Sequence, residues 1–272
     1  MQGLHEFIPT QRKIRYINSL LKAGFDTIDF GSFVSAAVIP QMIDTAEVLE
    51  GLNIDHESSN LLAIIANYKG AEVAMQYDEI NYLGFPFSIS ETFQKRNTNS
   101  GMAESLNTVK KIQDRCLAGG KELVIYISMG FGNPYGDPWG PEIAEKWVEE
   151  MSVIGIRIIS LSDTIGIAKP ESVSYLFSKL IPAFEHIEFG AHLHTTPDTW
   201  KEKVEAAWNS GCRRFDGAIK GFGGCPMAED KLTGNMPTEK MVSWFNQNKI
   251  ESGIHTEPFQ KAMLLASELF LG

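Results

Sequence analysis

Hydrophobic and polar positions along this chain switch between two periods. Stretches with apolar residues every third or fourth position predict amphipathic helices, and the short, nearly continuous apolar runs between them predict strands. Helical spacing marks 10–24, with Thr10 as its cap and Gly24 as its stop, and 26–30 then reads as a strand. The pair recurs along the sequence: helix 39–51 before strand 61–66, helix 70–77 before 82–88, helix 101–118 before 123–128, and helix 141–154 before 156–162. Helix 170–184 precedes 187–194, helix 197–210 precedes 213–219, and helices 237–248 and 257–271 finish the chain.

Strands this rich in Ile, Leu, Val and Phe, separated by amphipathic helices, imply a parallel sheet buried on both faces. A barrel and a doubly wound sheet both satisfy that pattern. The 272 residues suit one α/β barrel, and no linker or low-complexity stretch interrupts them. The expectation is an α/β fold, a TIM (β/α)₈-type barrel in one domain over 1–272. Seven strands are predicted where a closed barrel has eight, so the first strand is expected to be lacking. In such a barrel chemistry belongs at the C-terminal strand ends. Polar residues gather there: Asp29 and Ser32, Ser88 with Ser90-Glu91, Ser162-Asp163-Thr164, and His192 with His194.

His192-Leu193-His194 closes one apolar run. In a strand, side chains two apart point to the same face, so both imidazoles can reach one cation. Gly221-Phe222-Gly223-Gly224-Cys225-Pro226 begins 27 residues after His194 and Gly234-Asn235 stands 40 after it, a glycine-rich loop carrying a thiol and then an amide oxygen. Together these predict a metal site beside a mobile lid. Each residue also has a plainer reading: a structural histidine pair, a buried thiol at Cys225, and Asp29 and Asp163 as strand-end caps bonding loop amides. Cys116 and Cys212 read as packing residues, and Lys95-Arg96 as a solvated face.

Composition narrows the function. A hydrophobic fraction of 43% and a charged fraction of 21% describe an ordinary globular protein, and the longest apolar runs are too short to cross a bilayer. Three cysteines without a CxxC pairing argue for free thiols in a reducing compartment. Without a secretory pattern at the N-terminus, the expected location is the cytoplasm. A net charge of −10 argues against nucleic acid as a partner. It also means that an anionic substrate must find local positive charge, which a divalent cation would supply.

Six ordered motifs carry a resemblance: Ser32-Phe33-Val34-Ser35 with Pro40-Gln41-Met42, Ser88-Ile89-Ser90-Glu91-Thr92-Phe93 with Asn97, Ser162-Asp163-Thr164-Ile165-Gly166, His192-Leu193-His194, Gly223-Gly224-Cys225-Pro226, and Gly234-Asn235. Over Met1 to about residue 245 the chain resembles the 3-hydroxy-3-methylglutaryl-CoA lyase family, within the wider DRE-TIM metallolyase group. The resemblance implies cleavage of a tertiary-alcohol thioester to acetoacetate and acetyl-CoA, an acyl-CoA as partner, and a homodimer. It further implies His192, His194 and Asn235 as ligands of Mg²⁺ or Mn²⁺. Cys225 resembles the proton-relaying cysteine of the flexible loop, Asp163 a carboxylate at the substrate edge, and Asp29 a family Glu that orients its neighbours. Ser32, Asn97 and Gln2 resemble residues that hold the thioester or CoA arm, and the loop 130–140 is placed to fold over the pantetheine.

The chain departs from the family pattern at its start. The family carries an Arg, an acidic metal ligand, any residue, Leu and Gln on its first strand; Met1-Gln2 stand at the last two of those positions. Loss of an Arg aimed at an enolate typically costs about 3 kcal/mol or more in the barrier. The expectation is therefore a native product that starts about ten residues or more upstream, enough for one strand. Thr195-Thr196 follow His194 where the family often has Asp or Asn, and Asn133 stands where some relatives have Cys. Two other functions stay open: a bond-forming or aldolase-type relative, and a non-catalytic acyl-CoA-binding protein.

Overall fold

The computed structural model describes residues 1, 4, 6–55, 59–223 and 234–270. In chain order the elements are α1 (Thr10–Leu21), β1 (Thr27–Ser32), α2 (Thr45–Glu50), β2 (Asn60–Ile64), α3 (Tyr68–Ala74), β3 (Ile80–Ser88), α4 (Glu91–Thr98), α5 (Met102–Ala118), β4 (Glu122–Ser128) and α6 (Pro141–Val153). Then follow β5 (Ile158–Asp163), α7 (Pro170–Ala183), β6 (Glu188–Thr195), α8 (Trp200–Asn209), β7 (Arg214–Phe215), β8 (Gly234–Asn235), α9 (Thr238–Gln247) and α10 (Thr256–Phe270). Two compact units share them, Met1–Leu83 with Thr238–Gly272, and Gly84–Pro237.

In the first unit β1 and β2 pair in parallel from Thr27 opposite Asn60 to Ser32 opposite Ile64, with a bulge between Asp29 and Gly31. Thr10 is not the cap that its position predicts. Pro9 takes that place, and the Thr10 hydroxyl donates instead to Asp44 Oδ2 at 2.8 Å. A proline that precedes a helix has the fixed φ suited to entering it, so the threonine is free to bond elsewhere. Asp44 also receives Lys13 Nζ at 2.6 Å, and that buried ammonium donates to the Gln41 carbonyl as well. The Gln41 side chain accepts from Ile8 N at 3.0 Å and donates to the Leu4 and Glu6 carbonyls, so the Pro40-Gln41-Met42 motif anchors the segment ahead of α1. Edge-on ring contacts, Tyr16 with Phe270 and Phe25 with Phe259, seat α10 against α1 and the turn that follows it.

The second unit carries the parallel ladder β4–β5–β6–β7, which runs through Val124 opposite Ile158, Ile158 opposite Glu188 and Gly190 opposite Arg214. Every residue of β5 is buried, as a strand covered on both faces requires. Ala144, Val148 and Met151 of α6 and Val173, Leu176, Phe177 and Leu180 of α7 are buried at the helical spacing that predicted those helices. At roughly 2 kcal/mol for each large apolar side chain, such stripes hold the helices in place.

Three elements differ from the sequence reading. Helix α4 is so polar that its apolar period is weak; it forms because the Ser90 hydroxyl accepts from Phe93 N at 3.2 Å, and it stops at Asn99, whose φ is +54°. Strand 213–219 contracts to two residues, since the chain turns through a 3₁₀ segment at Ile219–Gly221. Strand β8 is two residues long and pairs antiparallel with β6. Among the described residues no strand precedes α1, and no helix is long and apolar enough to cross a membrane.

Candidate active site

Strand β6 delivers the two histidines. Its Gly190 has no room for a side chain: a Cβ there would lie 2.5 Å from Ser160 Oγ and 3.1 Å from Arg214 Cδ. Two residues on, His192 and two further, His194, project to one face, with ring centroids 5.5 Å apart and planes inclined by 52°. Opposite His194 in the antiparallel pair stands Asn235. Directly paired residues share a face, so the carboxamide and the imidazole lie together. Asn235 Nδ2 donates to the Phe222 carbonyl at 3.0 Å, which uses the nitrogen end of the amide and leaves the lone pairs of its oxygen outside that bond. The glycines have a local cause. Gly223 has φ +105°, and a Cβ on it would sit 2.6 Å from Asn235 Nδ2.

The two imidazoles have different surroundings. His194 is 4% exposed, and burial, with His192 and Lys203 adding repulsion, lowers its pKa to about 3. It is neutral at physiological pH, with a lone pair to give. His192 is about one-third exposed, and its Nδ1 lies within hydrogen-bond distance of Asp216 Oδ2 at 3.1 Å. The same carboxylate oxygen accepts from Ser160 Oγ at 3.3 Å, and the Tyr126 ring meets the His192 ring edge-on at 5.3 Å.

Asp163, at the end of β5, is 1% exposed, and both of its oxygens are engaged. Oδ2 receives Lys203 Nζ at 2.7 Å, and Oδ1 receives Ala168 N at 3.1 Å. Burial pushes this carboxyl up while the Lys203 ammonium opposes the shift. Lys203, also 1% exposed, donates further to the Gly166 carbonyl at 3.0 Å and the His194 carbonyl at 2.9 Å. One buried ammonium thus ties the ends of β5 and β6 together. The geometry matches the plain reading of Asp163 as a strand-end cap.

Sequence reasoning missed both Lys203 and Asp216. Asp216 had a usable signal, a lone acid in the middle of the seventh predicted strand, 213–219. Lys203 had a weaker one, a lysine within the apolar stripe of α8 beside Val204, Ala206 and Ala207.

The remaining predicted residues lie on other elements. Asp29 lies exposed on β1, and Ser32 is buried at that strand's end, its hydroxyl accepting from Val34 N at 3.2 Å. Asn97 is half-buried in α4. Gln2 and Cys225 lie outside the described residues. Cys116 and Cys212 are buried free thiols, pushed up to about 11 and about 12 by burial. The loop 130–140 is organised from within. Asp137 accepts from Ser90 Oγ at 2.5 Å, Thr92 N at 2.9 Å and Thr92 Oγ1 at 3.0 Å, and the Asn133 carboxamide bonds Tyr135 N and both the N–H and carbonyl of Asp137.

Among the described residues no three His, Cys, Asp or Glu side chains form a metal cage by themselves. Two imidazoles on one face with a carboxamide oxygen beside them do fit a divalent cation that keeps positions open for substrate oxygens.

Solved structures place this fold. The crystal structure of an HMG-CoA lyase from Acinetobacter baumannii, in complex with coenzyme A and 3-methylmalate, superposes with a TM-score of 0.90 at 30% identity, covering 98% of this chain and 87% of that one. The architecture is thus an α/β fold of the TIM-barrel class. The hydroxymethylglutaryl-CoA lyase of Bacillus subtilis is 32% identical over 263 residues, 96% of this chain and 87% of its own length. The (R)-citramalyl-CoA lyase of Chloroflexus aurantiacus is 28% identical over 263 residues, 93% of this chain and 82% of its own length. Residues 1–265 match the HMGL-like family, and the chain belongs to that family.

Proposed function

We infer that this protein is a carbon–carbon lyase that cleaves 3-hydroxy-3-methylglutaryl-CoA into acetoacetate and acetyl-CoA, using Mg²⁺ or Mn²⁺ held by His192, His194 and Asn235. The observation that carries this reading is the pairing of His194 with Asn235 across β6 and β8, with His192 on the same face. Membership of the HMGL-like family and the lyase relatives support it.

In the reaction the tertiary hydroxyl gives its proton to a base, the C2–C3 bond breaks, and its electron pair moves onto C2 as a thioester enolate. A divalent cation, when bound, polarises the hydroxyl and orients it for that step. The protein's residues do the rest. Burial keeps His194 neutral, so its lone pair is available across the physiological range. The Cys225 thiol protonates C2. Asp163, paired with Lys203, holds the strand ends beside the substrate, and Asp29 orients neighbouring groups. Ser32, Asn97 and Gln2 bind the thioester or the CoA arm.

A second substrate has a specific ground in the citramalyl-CoA lyase relative. Citramalyl-CoA is also a tertiary-alcohol thioester, and the same cleavage would release pyruvate in place of acetoacetate. Purified protein given Mg²⁺ or Mn²⁺ and each thioester in turn decides the matter. Acetoacetate formed faster than pyruvate, and abolished by chelation, is the expected result. Pyruvate formed faster assigns citramalyl-CoA. Condensation of acetyl-CoA with a 2-oxo acid assigns a bond-forming relative, and acyl-CoA binding without turnover a binding protein.

A further inference from the structure

Asp216 sits just beyond β7, and its backbone N–H donates to the Ala191 carbonyl at 3.0 Å. That bond extends the β6–β7 ladder by one step and sets the carboxylate beside His192. A carboxylate only accepts, so a 3.1 Å contact with His192 Nδ1 requires the proton on Nδ1. The Nε2 lone pair then faces away from Asp216. The carboxylate is itself steadied by the Ser160 hydroxyl, and Ser160 occupies the space where any Cβ on residue 190 would lie. His194 has anchors of its own in burial, a hydrogen bond with the Thr164 backbone and the antiparallel pair at its position. The more exposed His192 would otherwise turn about its side-chain bonds or change tautomer.

We propose that Asp216 is a positioning residue that locks His192 as the Nδ1–H tautomer and turns Nε2 toward the cation assigned to His192, His194 and Asn235. The inference rests on the metal reading above and adds a residue that does not itself touch the metal. Carboxylate partners of this kind orient a ligating imidazole and raise its basicity, and their loss typically weakens metal binding about 10–100-fold.

Two measurements on the full chain test it. Mn²⁺ affinity is titrated for wild type, Asp216→Ala and Asp216→Asn, with folding of each checked by circular dichroism. Separately, the metal-free protein is labelled with ¹⁵N-histidine, and the His192 signal, assigned by its loss in His192→Gln, reports which ring nitrogen carries the proton. The expected result is an Nδ1–H signal in wild type that is lost or mixed in Asp216→Ala, with Mn²⁺ binding about 10–100-fold weaker. Asp216→Asn keeps an acceptor of the same shape and falls between the two; it carries the test if the alanine variant does not fold. Equal Mn²⁺ affinity in wild type and the folded variant, or a wild-type His192 protonated on Nε2, overturns the role of Asp216 alone. A wild-type protein that binds no Mn²⁺ overturns the metal reading and this proposal together.

Discussion

Lys203 Nζ lies 2.7 Å from Asp163 Oδ2, with both side chains 1% exposed, and the same ammonium donates to the carbonyl of His194. A charge pair this dry is costly to break from one side, because the survivor has no water to turn to. Removing one partner of a buried pair typically destabilises by about 3–5 kcal/mol. Lys203→Met and Asp163→Leu alone are each expected to lose stability on that scale in denaturant titrations. The double variant should lose less than the sum of the two, since neither charge is then stranded. Additive losses would contradict the pairing.

Stability should depend on pH through His194. Its pKa in the folded chain is about 3, against 6.5 when unfolded. Between those values the unfolded chain binds a proton that the native chain refuses, so stability is full above about pH 6.5 and falls as pH drops toward 3. The limiting slope for one such group is about 1.4 kcal/mol per pH unit. Denaturant midpoints of the metal-free protein measured from pH 7 down to pH 4 should show the decline, and His194→Gln should flatten it. An unchanged slope in that variant would remove His194 as the cause.

Gly223 is expected to tolerate no side chain. Its φ of +105° and the 2.6 Å approach of a Cβ to Asn235 Nδ2 predict that Gly223→Ala displaces the Asn235 amide. Mn²⁺ affinity should fall by about tenfold or more, as for other residues that orient a ligand. Affinity equal to wild type would show that Asn235 is not a ligand or that it moves freely.

Cys225→Ser should separate chemistry from binding. A positioned proton donor contributes about 10²–10⁴-fold to rate. The expected outcome is kcat lower by that order, with Mn²⁺ affinity unchanged and little effect on KM. A change confined to KM would assign Cys225 to binding instead.

Much of this was legible in the chain. Strands buried on both faces, such as β5, are continuous apolar runs, and α6 and α7 carry their apolar stripes at unmistakable spacing. His192 and His194 were readable because a period of two is a property of the strand itself. Other features depend on contacts distant in sequence. Strand β8 is two residues held by pairing with β6, and α4 depends on a serine cap more than on an apolar face. Lys203 resembles any helix-surface lysine until Asp163, 40 residues away, is placed beside it. Thr10 had the right chemistry for a cap, but Asp44 took its hydroxyl.

Titration of the metal-free chain with Mn²⁺, followed by electron paramagnetic resonance in wild type, His192→Ala, His194→Ala and Asn235→Ala, bears most directly on the site. One tightly held Mn²⁺ per wild-type chain is expected, with affinity at least about tenfold weaker in each variant, since each removes a proposed ligand and outer-shell losses alone reach that size. No Mn²⁺ on the wild type, or unchanged affinity in all three variants, would contradict a shared cation at the ends of β6 and β8.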